Sequence, residues 1–243
     1  MISIVIPIYN GETFIDQCLA QVEGKGHEVI CINDGSSDRT LELLKKHEGV
    51  KVISYDENRG TLYARKQGMK AATGDYVTFL DVDDYIYFPP KPLSFTADVV
   101  DFDIIERFPG PVQRRRVKEG APSSEPKAFL RHALTKINLV GRLYKKKLVE
   151  KVLKYLGDEF QIYGEDVYLQ AMLLHLAESF ETTSEIGYGV KVVFNEPENA
   201  LNVEKGIKET VKKLGRFDSE YVQGVISILS KQCERLLEIG KNV

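Results

Sequence analysis

Four short apolar runs, separated by stretches of helical spacing, fill the first 84 residues of this chain, and that alternation constrains its fold most. Residues 2–6 form a nearly continuous apolar run that Pro7 ends, as a central strand covered on both faces should. Tyr9-Asn10-Gly11 is turn chemistry, and helical spacing follows over 12–22. A second strand is predicted over 28–32, a helix over 39–47, a third strand over 50–54, a helix over 61–72, and a fourth strand from Gly74. Short strands alternating with helices predict an α/β fold with a parallel sheet, right-handed crossovers and three layers. Each strand ends in polar or glycine residues on what must be one edge. Tyr9-Asn10, Asp34, Asn58 and Asp81-Val82-Asp83 are therefore expected to converge.

The fourth strand carries the strongest chemical signal. Gly74-Asp75-Tyr76-Val77-Thr78-Phe79-Leu80 runs into Asp81-Val82-Asp83-Asp84, three carboxylates in four positions. Crowded carboxylates repel one another and resist desolvation, and a hard divalent cation relieves both costs. Ligands of open α/β sheets sit outside the carboxyl ends of the strands, so a metal and phosphate site is expected at Asp81 and Asp83. Alternation along an extended segment would point both side chains the same way. An acidic surface turn is the alternative.

The second half is less regular. A strand is expected over 98–108, a mobile loop over 109–126 holding Arg114-Arg115-Arg116, and helices over 125–135, 143–156 and 164–178. An extended segment over 179–194 and two helices over 202–240, broken near Gly215, complete the chain. With 43% hydrophobic residues a sizeable core is available, and a net charge of -3 supplies no field to recruit nucleic acid. Cys18, Cys31 and Cys233 lack metal-ligand spacing and fit a reducing compartment, the first two as small core residues. No signal peptide and no membrane span are expected. His27, His47, His132 and His175 read as surface or packing residues.

In order and spacing, several segments together resemble the inverting nucleotide-sugar glycosyltransferases of family 2. They are residues 3–12 (SIVIPIYNGE), 32–40 (INDGSSDRT), Glu57-Asn58-Arg59-Gly60 with Ala64-Arg65, residues 74–84, and Gly164-Glu165-Asp166. The resemblance implies a GT-A fold: a three-layer α/β/α sandwich with a mostly parallel, Rossmann-like sheet and a helical C-terminal extension. Residues 1–100 would bind the donor, 101–200 the acceptor, and 201–243 would form the extension.

The family pattern implies a role for each matching residue. Pro7 and Tyr9 would lie against the nucleotide base, where an aromatic face suits stacking. Glu12 belongs to the same segment. Asp34 would accept a hydrogen bond from base or ribose, Asp38 or Ser37 being left to cap the next helix. Asn58 and Gly60 would present a helix start to the diphosphate, and Arg65 would approach its diphosphate or ribose side. The alternative for Arg65 is a solvated helix arginine. Asp81 is assigned to ribose, sugar and metal, Asp83 to Mn²⁺ or Mg²⁺, and Asp84 assists or caps. Asp166 would be the general base, with Glu165 second; the alternative is acidic complementation of a helix N-terminus.

What the resemblance implies is a metal-assisted, inverting hexosyltransferase acting from a nucleotide-diphosphate sugar, UDP being the commonest nucleotide, on a glycan or lipid-linked acceptor. The chain has no tryptophan and so lacks the Q-x-x-R-W signature of processive relatives, which implies single-sugar transfer in polysaccharide biosynthesis. Val140-Gly141-Arg142-Leu143-Tyr144 stands where the family carries a Trp-Asn-Lys-Leu-Tyr-like segment. Cytoplasmic placement is expected. Lys145-Lys146-Lys147 with Lys151 and Lys154 is either a solvated face or a peripheral contact with an anionic membrane. Two other functions share this kind of sheet: a non-catalytic sugar-nucleotide or glycan-binding protein, and a sugar-nucleotide pyrophosphorylase. The Gly-rich, basic loop of the latter is missing after the first strand.

Overall fold

A computed structural model describes residues 1–87, 94–107, 113–116, 125–134, 139–158, 164–191 and 200–240; the side chains of 113–116, 131–132, 200–204 and 232–240 are outside the description. The first half has β1 (Ile2–Ile8), α1 (Ile15–Leu19), β2 (Glu28–Asp34), α2 (Thr40–Leu44), β3 (Val50–Tyr55), α3 (Thr61–Ala71) and β4 (Tyr76–Phe79). The strands lie in the order β3-β2-β1-β4, every pair parallel. Alternation along them fills two cores. Val5, Ile30, Ile32, Val77 and Phe79 meet Leu62, Ala64 and Met69 of α3 on one face. Ile4, Ile6, Val29 and Cys31 meet Ile15, Cys18, Leu19 and Leu44 of α1 and α2 on the other.

This arrangement decides where a ligand can sit. From β1 the chain moves outward through β2 to β3, then returns through α3 to place β4 on the far side of β1. The connections leave β1 and β4 in opposite directions, so the crevice opens between their C-terminal ends. Gly68 makes the close fit of α3 possible: a Cβ there would lie 2.2 Å from Val5 Cγ1.

The second half extends the sheet and thickens the α3 face. It comprises β5 (Tyr85–Ile86), β6 (Val99–Arg107), β7 (Gln113–Arg116), α4 (Pro126–Leu134), β8 (Arg142–Lys145), α5 (Lys146–Leu153), α6 (Glu165–Leu176), β9 (Phe180–Lys191), α7 (Ala200–Leu214) and α8 (Glu220–Gly240). Among the described residues the full order is β3-β2-β1-β4-β8-β6-β9-β5, with β7 on β6. β8 runs antiparallel to both its neighbours, and β6 pairs parallel with β9. Residues of α5, α6, α7 and α8 join the core that holds α3.

Several expectations are corrected. The helix expected over 143–156 begins with a strand: Leu143 and Tyr144 are fully buried between β4 and β6, and only Lys146–Leu153 is helical. An apolar pair at strand spacing merged in the sequence with an amphipathic helix directly after it. Part of the loop expected over 109–126 is β7, whose Arg114-Arg115-Arg116 run pairs antiparallel with β6; residues 117–124 lie outside the description. The first two helices are shorter than their apolar spacing predicts. The basic run across β8 and α5 is partly engaged: Lys145 Nζ donates to Thr96 O at 2.6 Å, Lys146 Nζ to Met69 O at 3.3 Å, and Lys151 pairs with Glu178 at 2.7 Å. His47 packs against Glu23 and Asp16, and His175 against Ser219. Cys18 and Cys31 are buried and free, and burial pushes the Cys18 thiol up to about 12, so both act as small core residues. Among the described residues no helix is long and apolar enough to cross a membrane.

Candidate active site

The loops after β1, β2 and β3 are laced together by polar contacts. Asn10, at φ 52°, accepts from Ser37 N at 2.9 Å and donates its own amide to Ser36 Oγ at 3.0 Å. Gly11 N donates to Thr40 Oγ1 and Glu12 N to Asp38 Oδ2. Asp38 Oδ1 also accepts from Thr40 N at 2.9 Å, two residues on, while the N-cap of α2 is Arg39, which makes no side-chain capping bond. Glu12 is itself committed: its Oε2 accepts from the amide and Nε of Arg39 at 3.1 and 3.2 Å. Its carboxylate fastens two loops, a task the motif alone did not reveal.

Asp34 is buried, and its Oδ1 accepts from Arg59 N at 2.8 Å. Burial raises its pKa, and the Arg59 and Gly60 amides oppose that rise. Gly35, at φ 68°, lets the β2 loop touch the β3 loop; a Cβ there would lie 2.4 Å from Asn58 N. Asn58 Oδ1 accepts from Gly60 N, and Gly60 caps α3. Arg59 lies over the Tyr63 ring at 3.8 Å, and Tyr63 meets Tyr55 edge-on at 5.4 Å. This aromatic and cationic patch beside Asp34 was not anticipated. Its signal, tyrosines at the end of β3 and one turn into α3, is too common to stand out. Pro7 is half-buried within β1, and Tyr9 projects outward, 52% exposed.

The acidic residues form a second group around one cation. Arg65 is buried, and its guanidinium donates to Asp81 Oδ1 and to Glu165 Oε1, both at 2.9 Å. It is not a solvated helix arginine, and what it grips is protein carboxylate. Its place was readable: Arg65 falls three residues after Leu62 and four before Met69, on the apolar stripe of α3. Burial alone would lower its pKa, but the charges of Asp81, Glu165 and Asp166 outweigh burial and raise it. Three acids share this cation. Burial, reinforced by Asp166 and Asp81 against the pull of Arg65, pushes Glu165 up to about 7. Asp166 is half-buried and also raised, by burial first, with Arg65 opposing.

Asp81 to Asp84 is not a strand. β4 ends at Phe79, and Asp84 N donates to Asp81 O at 3.0 Å, closing a turn. The strand-alternation argument for Asp81 and Asp83 is therefore corrected: the turn sets their directions. Asp84 is buried, its two oxygens accepting from Tyr188 Oη at 2.9 Å and Lys191 N at 2.7 Å. Burial, with Asp81 and Asp83 adding to it, lifts Asp84 to about 7. Among the described residues nothing hydrogen-bonds to the Asp83 carboxylate or to the second oxygen of Asp81. No three His, Cys, Asp or Glu side chains among the described residues converge into a closed ion site. The donor set instead fits a hard cation held through few protein oxygens and completed by phosphate oxygens. The two groups adjoin at Gly11, where a Cβ would lie 2.6 Å from Ile8 Cγ2 and 3.5 Å from Val82 Cγ1.

A sheet with its crevice at the β1/β4 switch point, an aromatic patch beside a buried aspartate, and an acidic turn opposite the start of an acidic helix define a GT-A glycosyltransferase fold. The profile of "Glycosyl transferase family 2" matches residues 3–153, and the chain belongs to that family. It is 25% identical over 98% of its length to glycosyltransferase GlyA of Streptococcus pneumoniae, and 42% identical over 35% of its length to a poly(ribitol-phosphate) beta-glucosyltransferase of Bacillus spizizenii. It spans 35% and 15% of those proteins. S. aureus TarS 1-349 in complex with UDP-GlcNAc shares the fold with a TM-score of 0.68 at 20% identity, over 94% of this chain and 71% of that one. A mannosyltransferase from Pyrobaculum calidifontis, in complex with GDP-Man and Mn2+, matches with a TM-score of 0.61 at 13% identity, over 100% of this chain and 75% of that one.

Proposed function

We propose that this chain transfers a single sugar from a nucleotide-diphosphate sugar, UDP-linked, to an acceptor hydroxyl with inversion at the anomeric carbon. The observation that carries the reading is the division of labour in the acidic turn: Asp81 is held by Arg65, Asp84 by Tyr188 and Lys191, and among the described residues Asp83 is left uncommitted. A cationic partner delivered with the donor has that carboxylate waiting for it. The TarS relative is described with UDP-GlcNAc and the Pyrobaculum relative with GDP-Man and Mn2+, which supports a nucleotide-sugar donor and a divalent cation.

Residues 1–100 form the donor half. Tyr9 and Pro7 face the base, Asp34 accepts from base or ribose, and Asn58 and Gly60 set the diphosphate against the start of α3. Glu12 holds this rim together through Arg39. Asp81 and Asp83 would hold Mn²⁺ or Mg²⁺, and the ion would supply neutralisation of charge on the departing nucleoside diphosphate. Arg65 fixes Asp81 on the donor side and Glu165 at the start of α6, so donor site and base keep one relative position. Asp166 takes the proton of the acceptor hydroxyl. The hydroxyl oxygen bonds to the anomeric carbon as the carbon–oxygen bond to the diphosphate breaks. A carboxylate raised by burial is a stronger base than one in water, which suits the step. Residues 101–200 shape the acceptor side, a glycan or lipid-linked acceptor, and 201–243 brace it.

Donor hydrolysis tests the reading. Slow, metal-dependent UDP release is expected from the wild type, with loss of at least about 100-fold in Asp83→Ala and in Asp166→Asn. Unchanged turnover in Asp83→Ala would remove the cation from the account.

A further inference from the structure

We infer that the Tyr188 hydroxyl and the Asp84 carboxylate are positioning residues that set the acidic turn for cation and diphosphate binding; the inference rests on the proposed role of Asp83. Tyr188 lies in β9 and is fully buried. Its oxygen accepts from Asp81 N at 3.1 Å and donates to Asp84 Oδ2 at 2.9 Å. One side chain, 107 and 104 residues away in sequence, thus holds both ends of a four-residue turn. Lys191 N, on the same strand, donates to Asp84 Oδ1 at 2.7 Å. From the opposite side Gln21 Nε2 donates to Asp84 O at 3.2 Å, and Gln21 Oε1 accepts from Ile86 N at 3.2 Å. β5 then pairs Tyr85 with Gly189 and Ile86 with Tyr188.

The turn is therefore held from three sides, by Arg65 of α3, by Tyr188 and Lys191 of β9 and by Gln21 after α1, and among the described residues the Asp83 carboxylate has no protein partner. A carboxylate that grips an ion must stand within a few tenths of an ångström of its working position, and supporting hydrogen bonds supply that precision. Within Asp81-Val82-Asp83-Asp84, Asp84 carries no ion: both its oxygens are spent on β9. Removing the Tyr188 hydroxyl leaves Asp81 N and one Asp84 oxygen without partners and frees the turn to shift.

The test is a Mn²⁺ titration in the presence of UDP, read from the electron paramagnetic resonance of free Mn²⁺, on the full chain. Wild type should show UDP-dependent Mn²⁺ binding that Asp83→Ala abolishes. Tyr188→Phe should weaken the apparent affinity about tenfold, and Asp84→Asn, which keeps the Lys191 contact, about threefold or more. Tyr144→Phe is the control: it removes another fully buried hydroxyl of the sheet, one that donates to Leu139 O at 2.8 Å, and should bind as wild type does. If Tyr188→Phe does not fold by circular dichroism, Asp84→Asn decides. Wild-type affinity in both variants, with binding lost in Asp83→Ala, overturns the positioning role and leaves the ion site standing. Equal weakening in Tyr144→Phe reduces the effect to lost stability and overturns it too. Equal Mn²⁺ binding by wild type and Asp83→Ala defeats the ion site itself, and this inference with it.

Discussion

At the scale of single residues, Arg65 carries the most consequence. It is the buried cation between Asp81 and Glu165, and so joins the proposed donor side to the proposed base side. Arg65→Ala leaves Glu165 buried without a counter-charge and should destabilise the fold by about 3–5 kcal/mol, read by urea denaturation, and abolish turnover. Arg65→Lys keeps the charge but cannot reach two carboxylates with one rigid fork, so it should recover only part of either loss. Glu165 gives the pH dependence. Its folded pKa of about 7 stands above the ordinary carboxylate value, so between the two the folded chain holds a proton the unfolded chain has released. This contribution to stability is present at low pH and is lost as pH rises towards 7. Glu165→Gln should therefore gain stability relative to wild type as pH rises from about 5 to about 8, measured by thermal melts of ligand-free protein. A constant difference across that range would show that Glu165 does not titrate there. Asp81 and Asp83 stand out in the sequence as acids crowded at a strand end, whereas Glu165 and Asp166 are marked only by the family resemblance, since acids at a helix start are common. Tyr188 is invisible there: its partners lie more than a hundred residues away, and nothing around Gly187-Tyr188-Gly189 announces them.

At the scale of elements, α3 transmits position. Its N-terminus at Gly60 is the proposed diphosphate rim, its second turn carries Arg65, and its last turns rest on β1 through Gly68. The neighbouring Lys66 is buried and donates to Leu156 O, Gly157 O and Asp158, tying α3 to the segment that follows α5. Gly68→Ala places a methyl against Val5, which can give way only by moving the helix. The variant should lose about 1–3 kcal/mol and also bind UDP more weakly, measured by denaturation and calorimetry, although it touches no ligand. The alternating first half was legible because each strand and helix declares its own period. β8 was not, because four residues are too few to set a period and the helix behind them is strongly amphipathic. β7 was missed because three adjacent arginines read as loop, whereas an edge strand accommodates charge.

At the scale of the whole molecule, the C-terminal helices belong to the hydrophobic core that holds α3. Leu214, Tyr221, Val222, Val225 and Leu229 pack in the cluster that holds α3, α5 and α6. Thr210 Oγ1 donates to Gly164 O at 3.1 Å, and Arg216 donates to Tyr168 Oη at 2.7 Å, so α7 and the turn after it brace the start of α6. The chain should therefore unfold calorimetrically in one transition, with no separate melting of residues 200–240; two resolved peaks would make the extension an independent unit. The account depends most on a single arrangement, an ion gripped by Asp83 and Asp81 beneath a diphosphate at the β1/β4 crevice. Crystals soaked with UDP and Mn²⁺ test it directly through the anomalous signal of manganese. A peak bonded to the Asp83 carboxylate and the diphosphate, with the base beside Tyr9 and Asp34, is the predicted result. Nucleotide bound elsewhere, or a manganese peak away from Asp83, would contradict it.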